Sequence, residues 1–320
     1  MKNFWLLFAV ILIMGALSAC SEDIPEAKEF KVAHNGQTLT VIPLYDHILD
    51  YTSEAKGKTK EEKKALYLEK VILPFQEIAE EHGIDTRANY LAFLNGDTDI
   101  DQLEKNTIAL LKKQDEMETL VKEAFTKSSE ELPGKDKSMF LVPVNVEFSS
   151  IIKKMEGSTG VTFTEDFMLL QTDPSYKKDA FKNTVAHEYF HSVDMEDQSD
   201  GQSTVFDFIV MEGKADSFAR IIYPDHISPW TEPLSAAEKE KVFDHLSGNL
   251  DSFDLKEYQT LFAGVPSKGI PLWSNYRIGF EIMQDYLSSH PDMTPKEWVL
   301  TSSKETLENS PYKEALIPGE

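Results

Sequence analysis

The run His187-Glu188-Tyr189-Phe190-His191 constrains its surroundings more than any other five residues of this chain. On an α-helix, residues four apart lie on one face, so both imidazoles can reach a single metal ion. Glu188, beside the first His, then sits within reach of a water on that ion and can act as its base. The residues around the motif suit such a helix: Val185, Ala186, Phe190 and Val193 can pack while the histidines face a cleft. A helix of this kind points to hydrolytic chemistry at a zinc ion.

Zinc in hydrolases usually has three protein ligands and leaves its fourth position to water. A third His in the extended H-E-x-x-H-x-x-G-x-x-H pattern would need Gly at 194 and His at 197. Asp194 and Asp197 stand there instead, so that solution fails. The other common solution is a Glu from a later helix. Val210-Met211-Glu212-Gly213-Lys214-Ala215-Asp216 offers Glu212, far enough past His191 for a loop and a return to the metal. Glu196 follows His191 too closely to turn back, and Glu232 and Glu238 stay open but lack an apolar helical context. Asp216 lies one turn beyond Glu212 on the same face, placed to accept a hydrogen bond from the free ring nitrogen of a metal-bound His. Cys20 is the single cysteine, which removes disulfides and thiolate zinc modules from consideration.

The N-terminus suggests export. Lys2 precedes an almost unbroken apolar run from Phe4 to Leu17, too short for a comfortable membrane span and readable as a secretory signal. Leu17-Ser18-Ala19-Cys20 resembles a bacterial lipobox, which would make Cys20 the lipidated, palmitate-bearing first residue of the mature protein. The expected organisation is a signal peptide over 1–19 and a polar, lipid-anchored tether over 20–29. A single domain over 30–320 would follow, with room for an N-terminal helical lobe at 30–135 and a catalytic part at 136–320. The expected location is the extracytoplasmic face of the cell membrane. With 32 basic and 55 acidic residues the chain carries a net charge of −23. That balance argues against nucleic acid as a partner and against a polybasic grip on anionic lipid.

Local patterns predict the remaining elements. Phe30 and Val32, then Asn35-Gly36, then Leu39 and Val41 read as a hairpin. Thr59 and Glu62 form a capping-box pattern before Ala65, Leu66, Leu68, Val71, Ile72 and Phe75, with a kink expected at Pro74 and an end at Gly83. One helix is predicted over Asp99–Lys127, and strands over Met139–Val146 and Val161–Gln171. Asp97, Asp99 and Asp101 lack the Gly and Glu of an EF-hand loop, and Asp99 and Asp101 read as opening a helix. The acidic loop Asp194–Gly201 reads as solvated.

Two segments together, His187-Glu188-Tyr189-Phe190-His191 and Glu212-Gly213-Lys214-Ala215-Asp216, resemble a bacterial family of predicted zinc-dependent proteases of gluzincin type, a domain of unknown function (YjaZ-like). Trp273-Ser274-Asn275-Tyr276-Arg277-Ile278-Gly279 resembles the Tyr/Gly-containing helix near the end of that family, and the likeness spans most of 60–310. The resemblance implies an α+β, zincin-like metallopeptidase, mainly helical with a small sheet, acting on a peptide or protein. It implies Zn2+ held by His187, His191 and Glu212, with Glu188 as general base. Tyr276 is the first candidate to stabilise the oxyanion, with Arg277 and His245 behind it. The strand Val161–Gln171 stands where similar zincins place an edge strand that pairs with extended substrate. The rival expectation is a non-catalytic, zincin-like binding or chaperone lipoprotein of the cell envelope. The intact Glu188 argues against it, because a scaffold has no need of the base.

Overall fold

The computed structural model describes residues 24–84, 86, 99–196, 203–308 and 310–317. The expected signal peptide, Cys20, Asp97, Asp197 and Asp200 lie outside the described residues. The described chain opens with β1 (Phe30–His34) and β2 (Gln37–Pro43), an antiparallel hairpin. Asn35 and Gly36 take φ of 50° and 81°, the left-handed pair that a tight two-residue turn needs. Two residues of the expected tether already touch the fold: the Ala27 amide donates to Asp46 Oδ1 at 3.1 Å, and the Glu26 carbonyl accepts from Gln114 Nε2 at 3.1 Å.

Helices α1 (Tyr45–Ala55), α2 (Lys60–Tyr67) and α3 (Leu73–Glu81) follow. Thr59 and Glu62 form the expected capping box at α2. The kink expected at Pro74 takes the form of a π-helical stretch over Leu68–Ile72 just ahead of it. Pro74 has no N–H to return to the preceding turn, so the hydrogen-bond ladder widens there. Gly83 ends the segment with φ of 78°.

The single helix predicted over Asp99–Lys127 is two helices, α4 (Ile100–Leu111) and α5 (Gln114–Glu131). Asp99 caps α4 by accepting from the Gln102 amide at 3.1 Å. The break falls at Lys112-Lys113, which form a turn between the helices. Ile100 and Leu103 at the start of α4 join one apolar cluster, while Leu110 and Leu111 at its end join Met117, Leu120, Val121 and Phe125 of α5 in the other. Apolar periodicity continues across the break, which is why the sequence pattern missed it.

The sheet is completed by β3 (Lys137–Pro143), β4 (Ser158–Thr164) and β5 (Phe167–Thr172), with the short α6 (Ser149–Lys154) between β3 and β4. Its order is β1-β2-β3-β5-β4, parallel within β2-β3-β5 and antiparallel at both margins. The strand predicted over Val161–Gln171 is therefore corrected to two strands that fold back on each other. The polar pair Glu165-Asp166 makes the turn, and Asp166 accepts from the Thr164 hydroxyl. β4 becomes the sheet edge. Likewise β3 stops at Pro143 instead of running to Val146, where Asn145 caps a short turn by accepting from the Glu147 amide at 2.9 Å.

Side chains alternate across this sheet. Val41, Met139, Leu141, Met168 and Leu170 face one cluster, which contains α5, α7 (Lys178–Asp194) and α8 (Val205–Ile222). Ile42, Phe140, Val142, Phe167 and Leu169 face the other, toward α1 to α4. There Phe75, Phe140 and Phe167 meet with centroids 5.0 to 5.9 Å apart. Each such ring pair contributes roughly 0.5–1.5 kcal/mol beyond area burial. A third cluster holds α8 against α9 (Ala236–Leu246), α10 (Leu255–Ala263) and α11 (Ser274–Ser289), followed by α12 (Pro295–Trp298), α13 (Ser303–Glu308) and α14 (Lys313–Leu316). The result is a mixed α+β fold, mostly helical, with one five-stranded sheet. Among the described residues no helix is long and apolar enough to cross a membrane.

Two devices fix the helices that matter for the site. The Lys137 ammonium, fully buried at the start of β3, pairs with Glu196 just beyond α7 and donates to the Glu165 carbonyl at 2.6 Å. It pins the end of α7 to the sheet. α8 and α11 cross in backbone contact: a Cβ on Gly213 would fall on the Gly279 carbonyl, and one on Gly279 would fall on the Ile209 carbonyl. Each glycine is there to let the other helix approach.

Candidate metal centre

His187 and His191 lie one turn apart on α7, both buried, with their Nε2 atoms 3.0 Å from each other. α8 brings Glu212 to the same point, its Oε2 lying 3.2 Å from His187 Nε2 and 3.3 Å from His191 Nε2. Ligands about 2.0–2.1 Å from a tetrahedral zinc ion stand roughly 3.3 Å apart. The three donor atoms match that triangle, and their chemistry, two imidazoles and a carboxylate, is the chemistry zinc takes in hydrolases.

His187 Nδ1 lies 3.1 Å from Asp216 Oδ1, and the Trp230 indole N–H donates to the same oxygen at 3.0 Å. With the proton held on Nδ1, the Nε2 lone pair of His187 faces the centre. His191 has no such partner at Nδ1 among the described residues and is oriented by packing.

The local electrostatics suit a cation. Burial disfavours charge on the His187 ring, yet Asp216 and then Glu212 overcome it, so its pKa lies well above the usual imidazole value. Burial likewise works against the Glu212 carboxylate, and hydrogen bonds from His187 and His191 reverse the balance, holding it well below the usual range. Burial raises the Glu188 pKa, with His187, His191 and Thr162 opposing the rise only in part.

Glu188 sits directly under the edge strand. The Thr162 hydroxyl of β4 lies 2.8 Å from Glu188 Oε2, placed to donate to it, and a Cβ on Gly160 would come within 2.7 Å of Glu188 Cδ and Oε1. Gly160 thus leaves the space that the carboxylate fills, and Thr162 orients it. If Glu188 serves as the base that the sequence leads one to expect, Thr162→Val, which keeps the shape and loses the donor, should lower turnover about tenfold with zinc content unchanged, because the carboxylate loses its orientation. Turnover equal to the parent would remove Thr162 from this role.

The other sequence candidates are placed as follows. The Tyr276 ring lies 6.4 Å from the His187 ring, in an aromatic group with Trp230 at 6.5 Å and Phe262 at 6.2 Å. Arg277, next to it on α11, adds only weakly to the lowering of the Glu238 pKa, behind the hydrogen bonds from Ser235, and His245 Nε2 lies 3.1 Å from Glu257 Oε2. The alternative third ligands are engaged elsewhere or exposed: Glu196 with Lys137, Glu238 in the Ser235 capping box of α9, and Glu232 exposed after a short turn.

Four residues at the site escaped the sequence reading: Gly160, Thr162, Trp230 and Tyr258, whose hydroxyl donates to Glu212 Oε1 at 3.0 Å. Only Gly160 carried a signal, since a glycine inside a strand often marks close approach of another group.

Residues 117–308 match the family described as "Predicted Zn-dependent protease (DUF2268)". The chain belongs to that family. The uncharacterized protein YjfC of Bacillus subtilis (strain 168) is 25% identical over 127 residues, covering 36% of this chain and 42% of that protein. The family member described here thus aligns with less than half the length of that relative. Among solved structures, an aminopeptidase N family protein from Idiomarina loihiensis is similar at a TM-score of 0.35 and 13% identity, over 90% of this chain and 42% of that one.

Proposed function

We propose that the protein is a zincin-like, gluzincin-type zinc metallopeptidase, anchored by lipid at Cys20 on the extracytoplasmic face of the membrane. The observation that carries the reading is the convergence of His187, His191 and Glu212 on one point, with Glu188 beside it under the sheet edge. Membership in a family of predicted zinc-dependent proteases supports it.

In this reading His187 Nε2, His191 Nε2 and Glu212 Oε2 hold Zn2+. When bound, the ion polarises the scissile carbonyl and eases deprotonation of water. Glu188 takes the proton from the attacking water and passes it to the leaving amine. Asp216 keeps the His187 ring in the tautomer that ligates. Tyr276 supports the negative charge that develops on the carbonyl oxygen. An extended peptide pairs with the outer edge of β4, and its backbone then runs past Glu188. Residues 1–19 act as the export signal, 20–29 as the tether and 30–320 as the peptidase domain.

The test combines metal analysis of the purified protein with a mixed peptide library. About one zinc per chain and cleavage abolished by a chelator support the reading. Saturating metal should also raise stability by about 4 kcal/mol at a thousandfold excess over Kd. Bound zinc with no cleavage of any peptide would favour the non-catalytic binding or chaperone reading instead.

A further inference from the structure

Glu212 has two carboxylate oxygens, and the structure gives them different partners. Oε2 faces both histidine nitrogens, at 3.2 and 3.3 Å. Oε1 receives the Tyr258 hydroxyl at 3.0 Å. A carboxylate with both oxygens free can rotate, or can present both to one ion; a donor on one oxygen removes that freedom.

Tyr258 comes from α10, an element otherwise lightly attached. Leu261 is its one fully buried residue, and Leu255 and Phe262 stay exposed at 53% and 37%. Besides Leu261 in the third apolar cluster and Glu257 beside His245 of α9, several of its ties gather near the metal centre. The Tyr258 ring meets Phe208 of α8 at 5.6 Å, the Phe262 ring meets Tyr276 at 6.2 Å, and the Phe262 carbonyl accepts from the Trp273 amide at 2.9 Å. Trp273 itself takes φ of 61°, a left-handed conformation unfavourable for a bulky residue, where the chain leaves that contact and enters α11.

We propose that Tyr258 is a positioning residue of the metal centre, committing one oxygen of Glu212 to the ion by holding the other, and thereby docking α10 on the occupied site. The inference rests on the reading of His187, His191 and Glu212 as ligands. It has two consequences that packing alone would not produce. Metal affinity depends on the phenolic proton donor, and the order of α10 depends on the metal, because the two share one carboxylate and linkage is reciprocal.

Tyr258→Phe keeps the ring against Phe208 and removes only the donor. In a chelator-competition titration the variant should bind zinc 10–100-fold more weakly than the parent, the usual effect of losing a partner to a metal ligand. With cobalt(II) in place of zinc, its visible absorption should change in intensity, reporting altered carboxylate coordination. Equal zinc affinity with an unchanged cobalt spectrum overturns the proposal. A second measurement needs no variant: in the parent protein, zinc should slow amide exchange across Leu255–Ala263 at least tenfold, and exchange indifferent to zinc overturns the docking. A parent that takes up no zinc would instead bring down the metal centre, and the role of Tyr258 with it.

Discussion

Glu188→Gln is expected to retain zinc and to lose about 10²–10⁴ of the turnover number, the range that a positioned acid–base group supplies. Gln has the same shape, fits the space left by Gly160 and still accepts from Thr162, so the substitution isolates the proton-transfer function. Glu188 lies on α7 beside His187, a proposed ligand, and supplies none of the three convergent atoms, which is why metal content should be untouched. KM should change little, since the loss falls on the step in which the proton moves. Measuring kcat and zinc together checks both halves. Full activity in the variant would overturn the assignment of the base, and simultaneous loss of zinc would show that the side chain holds the metal.

Gly279→Ala carries the largest expected cost in stability. Its methyl would be built onto the Ile209 carbonyl, and backbone cannot turn aside as a flexible side chain can. Forcing α8 and α11 apart should cost about 3 kcal/mol, the upper part of the usual overpacking range. For a protein of this size that corresponds to roughly 6–12 °C in melting temperature. Glu212 adjoins Gly213 at the crossing, so zinc affinity should fall as well. Gly248→Ala provides the control: no atom lies within 4 Å of its added Cβ, and its melting temperature should stay within a degree or two of the parent. A Gly279→Ala protein as stable as the control would mean the helices can separate freely.

What could be read in the sequence follows from the range of each interaction. The His187/His191 pair, the Asn35-Gly36 turn and the Thr59/Glu62 cap are set by residues within four positions of one another, and all three take the expected geometry. Glu212 and Asp216 were approachable because one helical turn separates them, so locating one placed the other. Three elements were misjudged: Asn145 ends the strand predicted over 139–146, and over 99–127 and 161–171 apolar residues continue past a turn. Short polar pairs, Lys112-Lys113 and Glu165-Asp166, make the turns there. Thr162 and Tyr258 were invisible for a different reason. They reach their partners across 26 and 46 residues, and nothing in their immediate neighbours marks a hydroxyl that will meet a carboxylate.

The arrangement of aromatic side chains gives the centre a spectroscopic consequence. Trp230 donates to the same Asp216 oxygen that meets His187, and its ring lies 6.3 Å from that of Trp273. Trp298 stacks at 5.2 Å on Phe190, the immediate neighbour of His191. These are all the tryptophans among the described residues: Trp230 and Trp298 stand two contacts from His187 and His191, and Trp273 packs behind Trp230. Fluorescence of these three tryptophans is therefore a label already in place for following events at the imidazoles in real time.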